Sequence, residues 1–175
     1  MKWAQLVKGA GLVQNNKVDP SNHVAVSNMV YAPIDKTLTF YLNIRGTHRR
    51  TFGGIISFLR VDEIHVDSEE EAMEALSDRK NMMVEDAEGH RHIVVKPNLM
   101  YNDVQCRCSC ESFRFSYAYA DRKNRAMAGD NFPTYIRKTP LPPMGRPRRN
   151  PNQIPGVDKH LIIAMDVLAR EGLVL

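Results

Sequence analysis

Apolar positions recur along the chain with two periods, and each period predicts a different element. In residues 2–10, Trp3, Leu6, Val7 and Ala10 fall at i, i+3, i+4 and i+7. That spacing gathers them on one face of a helix, which Gly9 and Gly11 are expected to end. Residues 24–31 are mixed but can pair as a strand, and residues 38–44, β-branched and aromatic, are the better strand. Arg45-Gly46-Thr47 reads as a turn, residues 51–59 as the returning strand, and residues 63–66 as an extension of the same sheet.

Ser68 followed by Glu69, Glu70 and Glu71 has the form of a helix start. A serine cap, a glutamate three residues later and acids at the positive end of the dipole all favour it. Ala72, Met73, Ala75 and Leu76 would be its apolar side. Residues 81–85 and 92–96 flank Asp86-Ala87-Glu88-Gly89, which predicts a hairpin. The β pattern resumes over residues 104–110. The clearest helix is 158–171, with Leu161, Ile162, Met165, Leu168 and Ala169 on one face and Gly172 as its stop. The predicted class is α+β, a small, mainly antiparallel sheet with few helices.

Composition narrows the function classes. With 175 residues, 43% hydrophobic and 25% charged, the chain is long enough for a real core and reads as globular. Its apolar runs are far shorter than the ~18 residues that cross a bilayer, and residues 1–11 lack the apolar core of a signal peptide. No membrane association and no secretion are therefore expected. Three cysteines are too few, and odd in number, for a disulfide scaffold, which suggests a reducing cytosol or a particle assembled there. The net charge of +4 is unevenly spread. Residues 1–100 are nearly balanced, whereas eight basic residues lie between Arg122 and Arg149 against Asp130 alone. Seven of the ten prolines fall between Pro133 and Pro155. The chain thus divides into an N-terminal α+β region, 1–100, and a C-terminal region, 101–175, with a basic proline-rich arm at 122–155 and a helix at 158–171.

One constellation has metal-site spacing. Cys106, Cys108 and Cys110 occupy five residues, and His160 opens the last helix two residues after Asp158. Zinc takes about four N, S or O donors in a tetrahedron. Alternate strand residues face the same way, so a Cys-x-Cys pair can share an ion, but Cys106 and Cys110 would stand four rises of roughly 3.3 Å apart on a straight strand. The expected donors are Cys108, Cys110, Asp158 and His160, with the chain turning after Cys110. A bulged strand would admit Cys106 as well. The plainer alternatives are that the cysteines are small buried strand residues, or that packing and hydrogen bonds hold the loop without metal. A Zn2+ ion with four protein ligands would be structural, because no coordination position stays open for a substrate.

Cys108-Ser109-Cys110-Glu111-Ser112-Phe113 and Gly156-Val157-Asp158-Lys159-His160-Leu161 resemble the opening and close of the SWIM zinc module, in which CxC is followed by a long insertion and a CxH that starts a helix. With Phe113-Arg114-Phe115, Tyr135-Ile136-Arg137-Lys138-Thr139-Pro140 and Arg146-Pro147-Arg148-Arg149-Asn150-Pro151, residues 104–175 are similar to small virion proteins of tailed bacteriophages. Asp158 stands where the family pattern has cysteine. The likeness does not reach the N-terminal half. It implies a non-enzymatic structural component of the neck, tail or baseplate, present in several copies in a symmetric particle assembled in the bacterial cytoplasm.

The arm offers partner-binding candidates: Arg137, Lys138, Arg146, Arg148 and Arg149. Arginine forks suit carboxylates on a neighbouring virion subunit, and proline lowers the ordering cost of an extended arm. The alternative is a nucleic-acid-binding zinc module, with those residues plus Arg122, Lys123 and Arg125 on phosphates and Tyr117, Tyr119 and Tyr135 stacking on bases. Elsewhere, His90 and His92 read as a solvated turn, and Asp62, Glu63 and His65 as a polar cluster without a nucleophile or cofactor motif beside it.

Overall fold

The computed structural model describes residues 1–13, 23–45, 50–129, 150 and 152–175. The fold is α+β, with two small antiparallel sheets and five helices among these residues. The elements in chain order are α1 (Trp3–Val13), β1 (His23–Ala32), β2 (Thr37–Arg45), β3 (Thr51–Leu59), β4 (Glu63–Ile64) and α2 (Glu69–Ser77). They continue with β5 (Asn81–Glu85), β6 (Arg91–Val95), β7 (Asp103–Cys108), α3 (Glu111–Ser116), α4 (Ala118–Lys123) and α5 (Lys159–Arg170). No helix among the described residues is long and apolar enough to cross a membrane.

The larger sheet has the order β1-β2-β3-β7. Strict alternation along β2 buries Leu38, Phe40, Leu42 and Ile44. Because a strand turns every second side chain to the same side, pairing continues these positions into cross-strand rows. Leu38 lies beside Phe58 and Val104, Phe40 beside Ile56 and Cys106, and Leu42 beside Gly54 and Cys108. Helix α5 crosses this face and touches all four strands. In β1 the register slips at a bulge between Val26 and Asn28, where the hydroxyl of Ser27 donates to the Tyr41 carbonyl.

Residues 63–64 do not extend that sheet. They pair with β6 in a second sheet of order β4-β6-β5. The sharp change of direction at Arg60, which has φ of +59°, separates β4 from β3. The hairpin of β5 and β6 forms across Asp86–Gly89, with Gly89 at φ +88°. Ser68 caps α2, accepting from the Glu71 N–H, while the Glu71 carboxylate accepts from the Asp67 N–H. The apolar side expected for α2 is not a core face, since none of its residues is buried and Met73 is exposed.

Helix α1 runs past both glycines that were expected to end it. Gly9 is needed for another reason: a Cβ there would lie 1.9 Å from the Pro155 carbonyl oxygen. The buried face of α1, Trp3, Leu6 and Ala10, joins the same hydrophobic core as β2, β7 and α5. In α5 the buried set is His160, Leu161, Ile163, Ala164, Met165 and Leu168. Ile162 is half-buried and Ala169 exposed, so the packed face is rotated from the expected one. The helix rests on the sheet with its first turn held by His160, and this tertiary contact overrides the simple stripe.

Candidate metal centre

The sheet register sets the position of the site. Cys108 ends β7 beside Gly54, and the next row along the sheet is Ile44 with Phe52. The Phe52 ring lies 4.7 Å from the imidazole of His160, so α5 begins over the end of that row. After Cys108 the chain leaves the strand, and Cys110 becomes the N-cap of α3, its sulfur accepting from the Phe113 N–H at 3.3 Å. Asp158 is the N-cap of α5, with Oδ1 accepting from the Leu161 N–H at 3.2 Å. Two of the donors therefore serve as helix caps, which fixes where their side chains sit.

Cys108, Cys110, Asp158 and His160 place one donor atom each within 4.8 Å of one another, and all four are buried. Asp158 Oδ2 lies 2.8 Å from Cys110 Sγ and 2.8 Å from His160 Nδ1, and Cys108 Sγ lies 3.9 Å from the same nitrogen. The Cys110 N–H also points to Cys108 Sγ at 3.5 Å. A zinc tetrahedron with ordinary bond lengths has S···N and S···O edges of about 3.6 Å and an N···O edge of about 3.4 Å. Adjustments of less than about 1 Å would bring these donors to that shape. The donor set of two thiols, one carboxylate and one imidazole consists of residue types that zinc accepts, so the residues fit a structural Zn2+.

Electrostatics are shared across the cluster. The hydrogen bond with Cys108, then those with His160, lower the Cys110 thiol to about 7 against the opposing effects of burial and Asp158. The same Cys108–Cys110 hydrogen bond and burial push the Cys108 thiol well up. Burial disfavours charge on His160, but its hydrogen bonds with Asp158 and Cys110 outweigh it and raise the imidazole to about 9.

Cys106 is not one of the four. It is a free, fully buried thiol in the Phe40–Ile56 row, its backbone paired with Ala126 and Ala128, and burial raises its thiol far above the usual range. Arg137, Lys138, Arg146, Arg148 and Arg149 lie outside the described residues, as do Tyr135 and the Gly46-Thr47 turn. Tyr117 is fully buried, which excludes it from stacking on bases; Arg122, Lys123 and Arg125 are exposed. The structure corrects His92, which was expected in a solvated turn. It is half-buried, with Nδ1 2.7 Å from Glu63 Oε1 and Nε2 3.2 Å from Asp86 Oδ2. His90 is exposed and pairs with the same Asp86 oxygen at 3.1 Å.

Three residues beside the centre hold it in place; Asn150 and Gly156 belong to the quoted motifs, and Asp121 stands outside them. Asn150 donates to the carbonyls of Ser116 and Ile154 at 2.8 and 2.7 Å and accepts from the Ile154 N–H at 2.9 Å. Asp121, fully buried, accepts from the Gly156 N–H at 2.8 Å, and burial raises its carboxyl to about 8 against that bond. Gly156 sits so tightly that a Cβ would lie 2.8 Å from the Tyr117 ring and 2.9 Å from the Ala10 nitrogen. The local signals are that Asn150 precedes Pro151 and Gly156 follows Pro155. No protein family, curated protein or solved structure matches the chain.

Proposed function

We propose that the cluster is a structural zinc centre, and that the protein is a non-enzymatic structural component of a tailed-phage virion. One observation carries the metal reading: four metal-ligating side chains from two distant segments converge in a buried site. Cys108, Cys110, Asp158 and His160 would hold the ion. Bound there, Zn2+ would cross-link the strand end to the start of α5 and supply no open position for chemistry. The caps on α3 and α5 orient Cys110 and Asp158, and Phe52 backs the imidazole.

The virion assignment is supported by the resemblance of residues 104–175 to small phage virion proteins and by the basic arm. In a symmetric neck, tail or baseplate, each copy would add its own arm-to-neighbour contacts, so avidity would exceed that of a single interface. Metal content of the purified chain, with Cys108→Ser and His160→Ala as controls, tests the centre. Near-stoichiometric zinc lost in both variants is the expected result; zinc absent from the wild type refutes it. Cross-linking or imaging of an assembled particle tests the placement. A monomer that binds no particle protein would overturn the structural role; binding of nucleic acid with a steep salt dependence would replace it with the nucleic-acid-binding zinc module.

A further inference from the structure

We infer that Asp158 gives this module a second way to close, through hydrogen bonds among its own ligands, so that the chain folds with or without a metal ion. The inference deepens the reading of the four-residue cluster but does not require that zinc bind there.

Cys110 Sγ and Asp158 Oδ2 lie 2.8 Å apart in a site where both residues are buried. The Cys110 thiol donates to that oxygen directly, with no other group between them. A set of three cysteines and one histidine has only weak internal acceptors when metal is lost. Here a carboxylate oxygen is the common acceptor, with the Cys110 thiol and the His160 Nδ1 both at 2.8 Å. Charge-assisted hydrogen bonds of this kind are among the stronger ones in proteins. The carboxylate cannot swing away easily, because its other oxygen holds the Leu161 N–H at the head of α5.

The neighbouring contacts do not depend on a metal either. Asn150 ties the returning chain to Ser116, and Asp121 holds Gly156. Gly9 lets the Pro155 carbonyl approach α1. Asp158 is thus a metal-ligand type that also satisfies its neighbours in the cluster.

The test compares the full chain after exhaustive chelation and after zinc loading, in wild type, Asp158→Cys and Asp158→Asn. Readouts are metal content and the thermal transition followed by circular dichroism. The expected result is a cooperative transition for the chelated wild type. Chelated Asp158→Cys should melt about 5–10 °C lower and recover most of that on adding zinc. Chelated Asp158→Asn, which keeps an acceptor for the cap but puts an amide in the cluster, should fall by about 5 °C. Loss of cooperative unfolding in the chelated wild type would overturn the inference, as would melting of chelated Asp158→Cys at the wild-type temperature. A wild type that folds but never takes up zinc would support hydrogen-bonded closure and overturn the zinc reading, so the two fail separately.

Discussion

Replacing Gly9 with alanine should destabilise the protein, although the same change in a helix is ordinarily favourable. Glycine inside a helix costs roughly 0.5–1 kcal/mol relative to alanine because more backbone freedom is lost on folding. At Gly11, where an added Cβ meets nothing within 4 Å, Gly11→Ala should stabilise by about 0.5 kcal/mol, the low end because it lies near the helix end. At Gly9 the added carbon would stand 1.9 Å from the Pro155 carbonyl oxygen and 3.1 Å from its carbon. A comfortable C···O contact is about 3.3 Å. The helix and the segment beneath it must therefore separate by more than 1 Å, and both sides of the contact are main chain. Forced repacking of this kind costs about 1–3 kcal/mol, which leaves a net loss of about 1–2 kcal/mol after the propensity gain. Urea unfolding monitored by circular dichroism measures both variants, with the midpoint shift read at unchanged slope. Opposite signs for the two alanines are the expected outcome. If Gly9→Ala stabilises as Gly11→Ala does, α1 does not rest on the chain at Pro155, and the account of how that segment is held is wrong.

Three further outcomes follow from the polar contacts. Asn150→Ala removes a side chain with three hydrogen bonds; a loss of about 2 kcal/mol in urea unfolding is expected, and an unchanged midpoint would contradict the clamp. The hydrogen bond with Glu63 raises His92, burial opposes it, and Asp86 adds to the rise. Its contribution to stability should therefore be complete below the unfolded imidazole value of about 6.5 and disappear as pH rises through the higher folded value; NMR titration of His92 and of a Glu63→Gln variant checks the order. Asp121 behaves in the opposite way to a paired carboxylate. Its folded value of about 8 lies above that of the unfolded chain, so stability should fall as pH rises from the unfolded range toward 8, and Asp121→Asn should flatten that slope in urea titrations at several pH values.

Much of the sheet was readable from period alone. In β2, Leu38, Phe40, Leu42 and Ile44 alternate with polar neighbours and are buried as alternation requires. Ser68 with Glu71 carried its own capping chemistry, and Asp86–Gly89 its own turn. The four donors were readable because the residue types and spacing are chemically selective. Helices α3 and α4 were not: Phe113 and Phe115 look like strand residues, and the serine-like capping role of the Cys110 sulfur depends on the chain leaving β7. Assigning residues 63–66 to the first sheet failed because nothing local encodes which sheet a short strand joins. The roles of Asp121 and Asn150 carry no signal until their distant partners, Gly156 and Ser116, are in place.

The only tryptophan of the sequence, Trp3, lies on the buried face of α1, 9% exposed. Its indole is therefore a built-in optical reporter for one end of the core. Red-shifted emission would signal release of the N-terminal helix from its seat, without any label and without interference from a second indole.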